Sequence, residues 1–140
     1  RSSQIKTKVV LADEYETKSI RTILNYGHTL GHAIEAGGKY TLYHHGEAIA
    51  LGMRMAADIA VQSKMLPAKA AGRIDDLITA VGLPKKLQKV STLQILRIMQ
   101  HDKKFVAGKN RFVLATKIGK VKVVPNIKES VIKKAIKAYR

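Results

Sequence analysis

The chain contains no cysteine and no tryptophan. The first absence excludes disulfides, thiolate metal ligands and cysteine nucleophiles, and it fits a reducing, cytoplasmic setting. Aromatic residues are few, five Tyr and two Phe, and they are scattered. A single-strand nucleic-acid binder would more often present them as a stacking platform. Acidic residues are also scarce: 10 Asp and Glu stand against 26 Lys and Arg, a net charge of +16. Such a balance attracts anions, whether nucleic acid, acidic lipid or phosphorylated small molecules. A basic nucleic-acid-binding module is therefore one reading of the charge, and the missing platform argues against it. No run approaches the roughly 20 apolar residues of a membrane span, and no signal peptide is visible, so no membrane is expected. Internal repeats and low-complexity linkers are absent, and 140 residues make one ordinary domain. The chain opens on Arg1-Ser2-Ser3-Gln4 rather than on methionine, and Gln4 to Leu11 reads as the middle of an element. A fragment of a longer protein is expected.

What is present is mostly helical in period. Ile5 to Ala12 reads as the end of a helix, and Thr17 to Ser19 offers capping hydroxyls for the next. Ile20, Ile23, Leu24, Leu30, Ala33 and Ile34 keep one helical period through Ala36, which Gly37-Gly38 stops. Gly46 to Met65 is the longest apolar-periodic stretch, and its many small residues would let a neighbouring helix approach closely. Pro67 begins another helix that runs to about Ala80, with Gly82 as its stop. Ser91-Thr92 caps a helix ending near His101. Arg111–Leu114 and Lys120–Val124 are β-branched or aromatic runs of alternating character and read as an antiparallel hairpin, about residues 111–124. Ile127 to Tyr139 closes the chain as a helix. The expected fold class is mainly α, with a small β-hairpin.

The chemistry-bearing residues cluster in Asn25-Tyr26-Gly27-His28-Thr29-Leu30-Gly31-His32 and His45-Gly46-Glu47-Ala48. On a helix, His28 and His32 fall on one face, one turn apart. His45 stands at a helix entrance, where its side chain can turn back toward the pair. Neutral imidazole is a common ligand of zinc-like ions. Two histidines from separate elements plus a carboxylate form a catalytic shell with a position left for substrate. Each histidine of the pair follows a glycine, which costs about 1 kcal/mol of helix stability relative to Ala. Close backbone approach would compensate. On a continuous helix Arg21, Asn25, His28 and His32 would make one polar stripe, which a metal and a charged ligand would satisfy. The bland readings are a solvated His pair, Glu47 favoured at a helix N-terminus by the dipole, Glu35 paired or solvated, Met53 and Met55 as packing, and His44 turned elsewhere.

Arg21-x-x-x-Asn25-x-Gly27-His28-Thr29-x-Gly31-His32-Ala33-Ile34-Glu35, followed by His45-Gly46-Glu47-Ala48-Ile49-Ala50-x-Gly52-Met53, resembles the 3-dehydroquinate synthases. The likeness extends upstream to Lys6-x-x-Val9-Val10-x-x-Asp13, and downstream to Gly82-Leu83-Pro84, Asp102-Lys103-Lys104 and Gly119-Lys120. It implies residues 1–140 as the helical, metal- and substrate-binding C-terminal domain of a two-domain, cytoplasmic, homodimeric enzyme. An N-terminal nucleotide-binding domain, absent from this chain, would hold NAD and supply a Glu as third ligand of a divalent metal, zinc or cobalt. The resemblance implies His28 and His45 as metal ligands and His32 as the catalytic residue that contacts substrate and helps move protons. It implies Lys6, Arg21, Asn25 and one of Lys103 and Lys104 on the substrate's oxygens and phosphate. Asp13 to Arg21 is one residue longer than the family's usual spacing, so Glu14 or Glu16 stands at its acidic substrate position, with Glu16 favoured. The implied reaction converts 3-deoxy-arabino-heptulosonate 7-phosphate to 3-dehydroquinate and phosphate, a carbon–oxygen lyase step of the shikimate pathway to aromatic amino acids. A carboxylate and a phosphate call for Arg and Lys. Another sugar phosphate cyclase, such as 2-deoxy-scyllo-inosose synthase, shares the histidine motifs and is the close alternative. The isolated domain is expected to be inactive.

Overall fold

The computed structural model describes residues 2–13, 20–101 and 110–140. Among these, the chain runs through α1 (Ser2–Ala12), a 3₁₀ helix (Ile20–Asn25), α2 (His28–Gly37), α3 (His45–Gln62), α4 (Ala68–Ala80) and α5 (Thr92–His101). It ends with β1 (Arg111–Lys117), β2 (Lys120–Pro125) and α6 (Glu129–Ala138). The fold is mainly α with one antiparallel hairpin, as the periodicity predicts. No described helix is long and apolar enough to cross a membrane.

The core is built on α3. Its Ala48, Leu51, Met55, Ile59 and Ala60 are fully buried, joined by Leu30 and Ile34 of α2, Ile95 of α5, Leu114 of β1, and Ile132 and Ile136 of α6. Met55 is core, as expected, and Met53 is half-buried. Small residues on α3 allow the closest of these contacts. A side chain on Gly52 would drive into the Gly27 carbonyl and reach to 2.7 Å from the Gly31 nitrogen. A side chain on Gly31 would press on Ile49, at 2.6 Å. The two glycines that precede the histidines are therefore the crossing point of α2 on α3.

That crossing corrects one expectation. Ile20 to Ala36 is not a continuous helix. The first part winds as a 3₁₀ helix, Gly27 takes a left-handed conformation at φ +81°, and α2 starts afresh at His28. Gly27 lies against the Met53 backbone nitrogen, where a Cβ would stand 2.7 Å away, so both its backbone angle and its packing require glycine. The single helical stripe of Arg21, Asn25, His28 and His32 is broken there. At the other end of α2, the left-handed residues are Lys39 and Tyr40 rather than the glycines. Gly37 instead gives room to Val90, and Gly38 to Leu42.

Elsewhere the turn chemistry agrees with the sequence. Ser91 Oγ accepts the Gln94 N–H at 3.1 Å and caps α5. Gly82, at φ +81°, donates to the Thr79 carbonyl and ends α4. The hairpin pairs Phe112 with Val124 and closes over Ile118-Gly119, with an irregularity at Thr116. β1 does not alternate: Phe112, Val113, Leu114 and Ala115 are all buried, because α3, α2 and the 3₁₀ helix cover it as well as β2. Asn110 clasps the far end, its amide bonding both the N–H and the carbonyl of Ile127 at 2.8 Å.

One buried charge ties α4 to α3. Arg54, 1% exposed, pairs with the Asp75 carboxylate and donates to Thr79 Oγ1 at 3.1 Å. Nearby, burial raises the Asp58 carboxyl above its ordinary range, against a hydrogen bond with Tyr139 that lowers it. Burial and Asp58 together push the Tyr26 hydroxyl up to about 12. That hydroxyl donates to the Met53 carbonyl at 3.1 Å.

Candidate metal centre

His28 is the first residue of α2, His32 lies one turn further on, and His45 is the first residue of α3. The chain reverses between the two helices, so His45 returns to the pair. Ring centroids are 5.3 Å apart for His28 and His32, 5.8 Å for His28 and His45, and 5.9 Å for His32 and His45. One ring nitrogen from each histidine lies within 4.8 Å of the others. Zinc–nitrogen bonds are about 2 Å long, so small ring rotations would bring such a set onto one ion.

The hydrogen bonds around the rings decide which nitrogens are available. His28 Nδ1 lies 3.2 Å from the Tyr26 carbonyl oxygen. His45 Nδ1 lies 3.1 Å from Glu35 Oε2. Carbonyl and carboxylate oxygens only accept, so the proton sits on Nδ1 in both rings. In the neutral form of each ring, Nε2 then keeps its lone pair for a ligand, the arrangement that metal-binding imidazoles use. A neutral nitrogen donor set of this kind suits a borderline ion such as zinc or cobalt. Two helices begin at this place, and helix N-termini favour anions.

The neighbouring residues behave as the bland readings expect. Glu35 pairs with His45. Glu47 Oε2 accepts the His44 N–H at 2.8 Å and fixes the start of α3, while His44 is exposed. Of the expected substrate groups, Arg21 and Asn25 lie half-buried on the 3₁₀ helix that leads into Gly27. The Arg21 N–H donates to the carboxylate of buried Asp13 at 3.4 Å. Lys6 is exposed on α1, which packs against the 3₁₀ helix. Glu16, Lys103 and Lys104 lie outside the described residues. Tyr26 is the residue that sequence reasoning passed over, because its contribution to His28 is a backbone carbonyl and carries no side-chain signature.

Residues 1–105 match the family model described as 3-dehydroquinate synthase C-terminal. The chain belongs to the 3-dehydroquinate synthase family. It is 45% identical over 138 residues to the 3-dehydroquinate synthase of Acaryochloris marina, covering 98% of this chain and 37% of that relative. It is 46% identical over 128 residues to that of Desulforamulus reducens, covering 91% and 35%. The chain thus spans little more than a third of the length of these 3-dehydroquinate synthases. Among solved structures it is similar to 2-deoxy-scyllo-inosose synthase complexed with carbaglucose-6-phosphate, NAD+ and Co2+. That match has 29% identity and a TM-score of 0.78 over 90% of this chain and 37% of the other. The fold also matches 2-epi-5-epi-valiolone synthase from Streptomyces hygroscopicus, at 18% identity and a TM-score of 0.79 over 94% and 36%.

Proposed function

We propose that residues 1–140 are the metal- and substrate-binding C-terminal domain of a cytoplasmic, homodimeric 3-dehydroquinate synthase. The whole enzyme would convert 3-deoxy-arabino-heptulosonate 7-phosphate to 3-dehydroquinate and phosphate. The observation that carries this reading is the convergence of His28, His32 and His45, with Nδ1 of His28 and of His45 both held by acceptors. The high identity to named 3-dehydroquinate synthases supports the choice of reaction.

In this reading His28 and His45 hold a divalent ion through Nε2, and a Glu of the N-terminal nucleotide-binding domain completes the set. The ion, when bound, would acidify and orient a substrate hydroxyl for hydride transfer to NAD. The NAD+ and Co2+ named for the 2-deoxy-scyllo-inosose synthase complex support both requirements. His32 stands next to both ligands and would pass protons to and from the substrate. Arg21, Asn25, Lys6, Glu16 and one of Lys103 and Lys104 would grip the carboxylate, hydroxyls and phosphate. The Gly27–Gly52 crossing holds the three rings in register, so much of the rate derives from positioning.

A second reading, 2-deoxy-scyllo-inosose synthase, has the 29% structural match in its favour. A substrate panel on the whole enzyme separates the two. Phosphate release from the heptulosonate 7-phosphate is expected, and turnover of a hexose 6-phosphate in its place would overturn the assignment.

A further inference from the structure

Glu35 lies two turns beyond His28 on α2, and its carboxylate reaches across to the first residue of α3. The side chain is 17% exposed, while that of His45 is 57% exposed. An ordinary exposed ion pair between mobile side chains contributes little. This one is held at both ends by its backbone. The Glu35 carbonyl accepts the Tyr40 N–H at 2.9 Å, which locks the left-handed turn that ends α2. Glu47 holds the His44 N–H and sets where α3 begins. The more buried acid is thus a fixed post, and the more exposed imidazole is the group that needs one. His28 has no such need, because a main-chain carbonyl already orients it.

We propose that Glu35 is a positioning residue for His45: its carboxylate fixes the Nδ1–H tautomer and turns Nε2 toward His28 and His32. This rests on the metal-centre reading above and deepens it, since it supplies from within this chain the carboxylate that orients the more exposed ligand. A carboxylate on Nδ1–H also makes the opposite nitrogen a stronger donor, and losing such a partner typically lowers metal affinity about 10- to 100-fold. Any ion here would therefore depend on a residue that never touches it.

The test uses the 140-residue chain, read by long-range proton–nitrogen NMR of the imidazoles without metal and by zinc affinity against a chromophoric chelator. Wild type is expected to show protonated Nδ1 in both His28 and His45. Glu35→Ala should mix the tautomers of His45 alone and lower zinc affinity about 10- to 100-fold. Glu35→Gln keeps an acceptor of the same reach and should retain the His45 tautomer and most of the affinity. In a His45→Ala background, Glu35→Ala should cost nothing further. An unchanged His45 tautomer, or unchanged zinc affinity, in Glu35→Ala while His45→Ala weakens binding would overturn the proposal and leave the metal reading standing. Zinc affinity indifferent to both His28→Ala and His45→Ala would instead sink the metal reading, and this proposal with it.

Discussion

At the scale of single residues, the site is a matter of which imidazole nitrogen is free. The sequence spacing makes the His28–His32 pair legible, and the Gly-Glu motif after His45 makes the third histidine legible. The acceptors that set the tautomers are not legible, because one is a backbone carbonyl and the other joins two helices across a turn. Arg54 was equally hidden: it sits among alanines and methionines, and nothing local shows that α4 brings Asp75 and Thr79 to it. Asp58 yields a prediction about pH. Its carboxyl is raised in the folded chain, mainly by burial, so the fold prefers the protonated form. The stability this contributes is complete below the ordinary carboxylate range and is lost as pH rises through the raised value. Asp58→Asn should therefore melt higher than wild type at pH 7, with the difference shrinking toward pH 3. Thermal melts at both pH values check it, and a gain that grows at low pH would be the wrong sign.

At the scale of elements, the crossing of α2 and α3 decides where the histidines stand. Helix period alone carried the expectation straight through Gly27, since a lone glycine in a helical pattern is tolerated. The reason for the break lies 25 positions away, where Gly52 and Met53 press on that backbone. Gly52→Ala puts a methyl group into the Gly27 carbonyl, so it should cost about 3 kcal/mol or prevent folding. Gly72→Ala, in α4 with nothing within 4 Å of a new Cβ, should instead stabilise by about 0.5–1 kcal/mol. Urea denaturation of the two variants measures both, and equal effects would remove the special status of the crossing. The same reasoning explains β1. Its alternation was expected from composition, but a strand covered on several sides buries Phe112 through Ala115 without a break. Asp75→Ala, which leaves Arg54 buried without its carboxylate, should cost about 2 kcal/mol by the same denaturation assay.

At the scale of the molecule, helix order, the hairpin and the closing helix were readable because strong period and turn residues agree along most of the chain. The chain spans 37% of the length of the Acaryochloris marina 3-dehydroquinate synthase, and in the proposed function the third metal ligand and the NAD site are not among these 140 residues. The His45 side chain is 57% exposed to solvent, and in the proposed function a carboxylate from a further domain completes its metal set. The isolated chain should accordingly release no phosphate from the heptulosonate 7-phosphate, in a coupled phosphate assay that detects turnover by the whole enzyme. The claim on which the rest depends is that His28 and His45 are the ligands this domain contributes. Zinc affinity of wild type, His28→Ala, His32→Ala and His45→Ala tests it most directly. Weak wild-type binding, lowered by His28→Ala and by His45→Ala and far less by His32→Ala, is the predicted result. Tight binding that survives loss of either His28 or His45 would contradict it.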